Sequence, residues 1–475
     1  MTPEEFRKAG HELIDWIADY RAQVPDLPVR AQVKPNEVRD ALPKTAPDSP
    51  ESFETVLSDL QNIVVPGVTQ VQHPMHYGWF PSNASLSSVL GDIASSGLGT
   101  LGISWESCPA LTEVEQVVCD WLRQLTGLSE AWHGSIHDTA STACVTAMIL
   151  AREKASGLSK NHGGLPASSA PLIIYSTRQA HSSIAKAVQL AGFGNDNLRY
   201  IDEDPYTRAM KPEALAAAIT EDRSAGNIPA GIVCSVGATG TTAMDPIDAI
   251  ADIANAEDIW LHVDAAMAGS AMLLPECRHL WHGVEKADSV AWNPHKWMGT
   301  ILDTALMYVR DVDHLERVMS TNPSYLRSTA DGEVVQYRDW GIPLGRRFRA
   351  LKLWFHLRLD GPDAIRERMR RDLENAQWFK QQIESMEGWE VLAPVDLQTV
   401  CIRHTPMDDD GQLLSGDALD KYTLSWVDII NSSGEAFMSP SVLDGRWMVR
   451  VSIGVEGTER SHLEKLIELL KHNTQ

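Results

Sequence analysis

The chain has 475 residues, with 64 Asp and Glu against 41 Lys and Arg, a formal net charge of −23 at pH 7. At 43% hydrophobic and 22% charged it has the composition of a globular protein, long enough for about two or three domains or one large α/β domain with appendages. That charge argues against a nucleic-acid backbone or an anionic membrane surface as partner, since both need clustered Lys and Arg. No apolar run reaches the roughly 18 residues that a membrane-spanning helix needs. Acidic residues also interrupt MTPEEFRKAGHELIDWIADYR, where a signal peptide would be apolar.

In chain order, Phe6, Leu13, Ile14 and Ile17 recur at helical spacing behind Thr2-Pro3, which predicts an amphipathic helix over 1–20. Pro25, Pro28, Pro35, Pro43, Pro47 and Pro50 then suit an extended arm. Such a helix and arm can pack on another subunit or on their own chain, and both remain open. From about residue 135 the pattern alternates. Apolar, β-prone runs at 171–176, 230–236, 259–266, 289–292 and 304–309 are separated by helical stretches near 181–192, 212–222 and 245–256. This predicts a largely parallel sheet covered on both faces, with ligands bound beyond the carboxyl ends of its strands. A long amphipathic helix over 344–358 is expected to lead into a smaller region, with strands at 400–404 and 447–454 and a closing helix near 458–472. Cys108, Cys119, Cys144, Cys234, Cys277 and Cys401 form no C-x-x-C and read as free thiols of a reducing cytoplasm.

Gly97 to Gly102 matches G-x-G-x-x-G literally, but a helical-looking segment precedes it and Pro109 interrupts the stretch after it. A glycine-rich turn is the better reading, and a nicotinamide-dependent oxidoreductase stays only as the alternative of another class. The pairs His73/His76, His133/His137 and His279/His282 lack a nearby third ligand, and His133 and His137 flank an expected turn at Gly134-Ser135. No metal site is expected. The segment 137–155 is more telling: Thr139-Ala140-Ser141 opens an apolar-faced helix, whose free first-turn N–H groups and a hydroxyl make either a ready anion site or a plain N-cap. Asp264 ends one apolar run, while Asn293, His295 and Lys296 directly follow another, with Trp292 and Trp297 around the lysine. Desolvation would favour the neutral, nucleophilic amine. A phosphate turn, a carboxylate and an imine-forming lysine at strand ends of one sheet are what pyridoxal 5′-phosphate requires.

At this point the chain resembles the group II pyridoxal-phosphate decarboxylases, specifically the aromatic-L-amino-acid (DOPA) decarboxylases, with a bacterial member as the nearest kind. The likeness is nearly collinear, through EFRKAGHELIDWIADY, PGVTQ, LGISWESCPALTEVE, QAHSSIAKA, DIWLHVDAAMAGSAMLLPE, NPHKW, NPSYL, RDWGIPLGRRFRALKLWF and RWMVRVSIG. It implies a fold-type-I α/β architecture: an N-terminal helical arm (1–85), a large cofactor domain with a mostly parallel sheet (86–350) and a small α+β C-terminal domain (351–475). It further implies a cytoplasmic homodimer with the active site at the subunit interface, Ile103 reaching the neighbour's pocket.

The resemblance also assigns roles. Lys296 would form the Schiff base, Asp264 would pair with the pyridine nitrogen, and His181 would stack on the ring and help place the substrate carboxylate. Thr139, Ala140, Ser141 and Asn293 match phosphate contacts, and Ala266 and His295 also match cofactor-binding positions. Thr239 matches a residue near the cofactor and the substrate carboxylate. Tyr325, in a loop over 320–335 expected to close over the site, would protonate the α-carbon. Relatives that make aldehydes typically replace Tyr325 or His181. This chain keeps both, so an amine is the expected product and an aldehyde synthase the alternative. The substrate pocket would draw on Val71, Trp79, Phe80, Pro81, Ser82, Ile103, Thr239 and Gly345. Gly345 leaves room for a large ring. Val71, Ile103 and Trp79 depart from the common pattern, which keeps DOPA, tryptophan, 5-hydroxytryptophan, phenylalanine and tyrosine all open. Asp138 beside the phosphate turn would repel an anion unless it points away.

Overall fold

The computed structural model describes residues 1–162, 164–165, 170–321, 330, 332–408 and 410–474. Among these, the strands are β1 (His76–Tyr77), β2 (His133–His137), β3 (Leu172–Ser176), β4 (Leu198–Tyr200), β5 (Ile228–Ser235), β6 (Trp260–Asp264), β7 (Ser289–Trp292), β8 (Ala305–Val309), β9 (Trp389–Val391), β10 (Thr399–His404), β11 (Phe437–Leu443) and β12 (Arg446–Ser452). The chain divides into two compact units, one of 1–81 with 378–390 and 402–475, the other of 82–377 with 391–401. The arm and the C-terminal segment thus share one unit, and residues 351–377 belong to the larger one, a grouping that differs from the three consecutive domains expected.

In the larger unit seven strands form a sheet in the order β2-β8-β7-β6-β5-β3-β4. The pairs β3–β4, β3–β5, β5–β6 and β6–β7 are parallel, whereas β8 is antiparallel to both β7 and β2. Reversing twice brings β2 back into the common direction, so β8 alone is reversed. This is the mostly parallel α/β sheet expected. The sequence predicts a turn at Gly134-Ser135, but these residues lie inside β2, paired with Tyr308 and Met307 of β8. A Cβ on Gly134 would stand 2.7 Å from the Tyr308 ring, so the glycine marks a close approach and not a turn.

The helix Ala140–Ala155 seats on this sheet through Ala143, Ala147 and Ala151, all fully buried at four-residue spacing. Methyl-sized side chains let it come close: a Cβ on Gly231 of β5 would lie 3.2 Å from the Ala151 Cβ. Helices Ser182–Leu190 and Val312–Met319 complete the same apolar cluster with Ile184, Val188, Leu315 and Val318. Helices Pro212–Ser224 and Ile247–Ala256 pack on each other and on β5 outside that cluster. The helix expected over 344–358 begins only at Ala350 and ends at Leu359. Residues before it are drawn out by their charges: Arg346 pairs with Glu115 and donates to the Ile136 carbonyl, and Arg349 grips Asp303 at 3.1 and 2.9 Å. Gly97 to Gly102 proves to be a helix end, with helix Leu86–Leu98 stopping at Gly99 in the left-handed region, φ 60°.

In the other unit, helix Pro3–Gln23 starts on a capping box between Thr2 and Glu5 with proline in its first turn. None of its residues is buried, and Phe6 and Ile14 are 65% and 40% exposed. The arm is tied by Val29, whose N–H donates to the Gly434 carbonyl and whose carbonyl accepts from Gln70. Five strands order as β1-β11-β12-β10-β9. The β11–β12 hairpin turns on Asp444-Gly445, both at positive φ, as a two-residue loop between right-twisted strands demands.

Helix Leu86–Leu98 supplies a paired stability test. A Cβ on Gly91 would meet the Leu351 carbonyl oxygen at 2.5 Å and the Lys352 Cα at 3.0 Å, backbone atoms that cannot turn aside, whereas Gly97 has open space. Gly91→Ala should cost about 1–3 kcal/mol through overpacking. Gly97→Ala should be neutral or gain up to about 1 kcal/mol from helix propensity. Urea unfolding of the two variants beside the wild type checks the contrast.

Candidate active site

The shared strand direction decides where the polar loops go. β2, β3, β5, β6 and β7 all deliver their carboxyl ends to one edge of the sheet, and the segments 138–141, 177–181, 236–242, 264–266 and 293–296 leave from there. Backbone hydrogen bonds join three of these exits: Val236 N–H to the Asp264 carbonyl, Ala265 N–H to that of Ala291, and Asn293 N–H to that of Ala266, all at 2.9 Å. The edge is therefore rigid where the side chains diverge.

Asp264 is the last residue of β6 and is buried, with Oδ1 accepting from the Ala266 N–H at 3.1 Å. His262, two residues earlier and thus on the same face of the strand, is buried between Cys144 of helix Ala140–Ala155 and Ser289, whose hydroxyl lies 2.9 Å from Nδ1. Burial pushes its pKa down to about 4, so a neutral imidazole backs the carboxylate. Lys296 is half-buried in a turn closed by its own N–H to the Asn293 carbonyl. That turn is anchored on both sides. The Trp297 indole donates to Asp372 at 2.9 Å, and the Met298 N–H to the Ser270 hydroxyl at 3.1 Å. Trp292 is fully buried, and a Cβ on Gly269 would collide with it at 2.2 Å. The run of small residues after Asp264 thus has a packing cause.

His181 caps the helix Ser182–Leu190, its Nδ1 accepting from the Ser183 N–H at 3.1 Å. Its pKa is lowered, first by burial and then by the Lys296 charge, with Asp264 acting oppositely. Asp264, at the end of β6, and Lys296, in the turn after β7, thus both bear electrostatically on His181 at its helix N-cap. His295 is buried, accepts the Thr304 N–H on Nδ1 at 3.0 Å and is pushed down to about 4 by burial and Lys296. It braces the loop beneath its neighbour.

The helix Ala140–Ala155 has no side-chain cap on its N-cap Thr139, which leaves first-turn N–H groups to be satisfied from outside. The Thr139 N–H itself is taken by Asp138 Oδ1 at 2.6 Å. Asp138 thus folds back onto its own backbone, beside a small cavity also lined by Arg346, Arg347 and Arg349. Asn293 Oδ1 is buried with no hydrogen-bond partner, and with the amide turned over it offers N–H to an anion. An uncapped helix start, an orphaned amide, a lysine, a carboxylate and an imidazole along one edge fit the phosphate, carbonyl, pyridine nitrogen and ring face of pyridoxal 5′-phosphate.

Among the other expected residues, Thr239 and Ala266 are half-buried on edge loops, and Ser141 is exposed in the first helical turn. Ile103 donates its N–H to the Ser107 hydroxyl at 3.1 Å. Gly345 is exposed, and a Cβ there would meet only Leu101, at 4.0 Å. Ser82 is half-buried and opens the larger unit. Val71, Trp79, Phe80 and Pro81 belong to the other unit. There Trp79 is 53% exposed at φ 51° with its N–H on Ser439, and the Arg450 guanidinium lies 4.9 Å over the Phe80 ring. Tyr325 lies outside the described residues. Sequence reading missed Gln179, Glu203 and Asp245, whose hydrogen bonds knit the edge loops together and whose spacing carries no local signal.

The buried histidines set a pH dependence. Burial lowers His137 and His356 to about 3 and His262 and His295 to about 4 from an ordinary 6.5. The unfolded chain then binds more protons than the native one as pH falls from 6.5 toward 4, so stability present above 6.5 is lost over that window. Buried Asp245, raised to about 7, works in the opposite sense and is outnumbered. The thermal unfolding midpoint should be lower at pH 5 than at pH 7, and an equal or higher midpoint would contradict neutral burial of these rings.

Residues 35–405 match the pyridoxal-dependent decarboxylase conserved domain. The chain is 39% identical to phenylacetaldehyde synthase of Arabidopsis thaliana, over 99% of this chain and 96% of that one. It is 38% identical to tryptophan decarboxylase 2 of Oryza sativa subsp. japonica, over 99% and 95%. The crystal structure of Oryza sativa TDC with PLP and tryptamine superposes with a TM-score of 0.95 at 34% identity, covering 100% of this chain and 98% of that one. These relatives are plant proteins, so they lend no support to a bacterial origin. Among the described residues, no helix is long and apolar enough to cross a membrane.

Proposed function

The chain belongs to the pyridoxal-dependent decarboxylases of group II, and from that membership we propose that it converts an aromatic L-amino acid to an aryl-alkylamine and carbon dioxide at the sheet edge. The observation that supports this reading is that the segments carrying His181, Asp264 and Lys296 all leave the same edge of the sheet. Pyridoxal 5′-phosphate, when bound, supplies an electron-withdrawing ring that accepts the electron pair left by the carboxylate.

The chain's own residues divide the remaining work. Lys296 would hold the cofactor through its amine, which a substrate amine would have to displace. The Asp264 carboxylate would pair with the cofactor's ring nitrogen and hold a proton there. Ala140, Ser141 and Asn293 hold the phosphate, and Thr139 contributes its hydroxyl, its N–H being engaged by Asp138. His181 would face the bound cofactor and, together with Thr239, would orient the substrate carboxylate. Tyr325 hands its phenolic proton to the α-carbon, a role resting on sequence resemblance alone. Gly345, Ile103 and Ser82 shape the aromatic pocket, and the substrate-binding roles of Val71, Trp79, Phe80 and Pro81 rest on sequence resemblance alone. The relatives named for tryptophan, tyrosine and phenylacetaldehyde chemistry support an aromatic ring. We further propose a homodimer, supported by the unburied apolar residues of helix Pro3–Gln23, and a cytoplasmic location, supported by six cysteines that form no disulfide among the described residues.

A second reading, the aldehyde synthase, is favoured by the 39% identity to a phenylacetaldehyde synthase. Retention of Tyr325 and His181 favours the amine. Incubation with a panel of L-amino acids separates the two: amine and carbon dioxide in equal amounts are expected, whereas oxygen uptake with ammonia, peroxide and aldehyde would establish the synthase. Preference for glutamate or histidine over every aromatic would refute the substrate class. Lys296→Ala should abolish both the cofactor's visible absorbance band and amine release. Tyr325→Phe should shift the product toward aldehyde, and an amine-only product would remove Tyr325 from the role given to it.

A further inference from the structure

We infer that Gln179 and Glu203 form a clamp that positions His181, fixing its turn against the loop that carries Thr239; the inference rests on the role of His181 proposed above. The Glu203 carboxylate accepts three donors from that turn: the Arg178 N–H at 2.9 Å, the Gln179 N–H at 3.2 Å and the Gln179 side-chain Nε2 at 2.9 Å. On its other side, Gln179 Oε1 accepts from the Thr241 hydroxyl at 3.2 Å.

The clamp has a fixed polarity. A carboxylate can only accept, so Nε2 must face Glu203, and the amide oxygen is then obliged to meet a donor. Thr241, buried on the neighbouring loop, is that donor. Close approach is required too: a Cβ on Gly240 would come within 3.1 Å of Gln179 Oε1. Gln179 therefore spans the exits of β3 and β5, one leading to His181 and the other containing Thr239.

Glu203 is itself held. It pairs with Met210 in an isolated antiparallel bridge, and the Met210 N–H donates to Asp245 Oδ1 at 2.7 Å. Asp245 Oδ2 accepts the N–H of Ser235, the last residue of β5, also at 2.7 Å. The clamp is thus referred back to the sheet through buried Asp245. Tyr206 on this segment is 82% exposed while Ile201 and Met210 are buried, and the Glu203 carboxylate directs its hydrogen bonds to the turn before His181.

The test uses full-length holoenzyme with Gln179→Ala, Glu203→Gln, His181→Ala and the Gln179→Ala/His181→Ala double variant. Glu203→Gln keeps an acceptor for the backbone N–H groups and serves as the milder probe where the alanine variant folds poorly. Gln179→Ala should lower kcat by about 10–100-fold with KM little changed, as for other residues that orient a reacting group. Once His181 is truncated, it should cost little more, a non-additive cycle. Hydrogen exchange should quicken in 177–183 and 238–242, with an unchanged thermal midpoint and an altered circular dichroism of the visible cofactor band. An additive cycle, unchanged exchange in those segments, or a kcat loss that tracks a lowered midpoint would overturn the clamp. Absence of amine from the wild type would refute the reaction instead, and the exchange and dichroism measurements would still decide the clamp.

Discussion

Everything at the candidate site depends on the common direction of the sheet's strands. Parallel neighbours require crossovers, and each crossover begins at the same edge, so polar residues far apart in the chain are delivered to one line. The single reversed strand, β8, sits between β2 and β7 and leaves this arrangement intact, because two reversals return β2 to the common direction. Had β2 run the other way, the uncapped helix start at Thr139 would lie at the opposite edge from Lys296.

Packing then fixes distances along that edge. The alanine face of helix Ala140–Ala155 sits close enough to the sheet for Cys144 to touch His262, so the helix whose N-terminus would hold a phosphate also backs the strand that ends in Asp264. Buried imidazoles back the carboxylate and flank the lysine without adding charge near neutral pH, since burial lowers His262 and His295 to about 4. A net charge of −23 over the whole chain therefore says little about this spot.

Much of the fold was legible residue by residue. The five β-prone runs became β3, β5, β6, β7 and β8, and the helices between them lie close to the expected limits, because apolar runs and capping residues act locally. The failures were of another kind. Gly134-Ser135 reads as a turn until Tyr308 is seen to occupy the space a side chain would need. Residues 344–349 carry a helical pattern, yet Arg346 and Arg349 are pulled toward Glu115 and Asp303, partners more than forty residues away by chain count. Asp138 had no sequence rationale beyond repulsion, and its place is given by a bond to the Thr139 N–H.

The sequence by itself determined which chemistry is possible: a lysine after one strand, an aspartate ending another, a small-residue turn before a helix, and a collinear likeness to pyridoxal-phosphate decarboxylases. These are properties of residue type and short-range order, which side-chain chemistry and backbone periodicity dictate locally. Only the tertiary structure decided that His181, Asp264 and Lys296 share an edge, that His295 is a brace, and that Gln179 links two loops through Glu203 and Thr241. Strand direction, close approach and hydrogen-bond partnership join residues distant in the chain, and no local pattern encodes them.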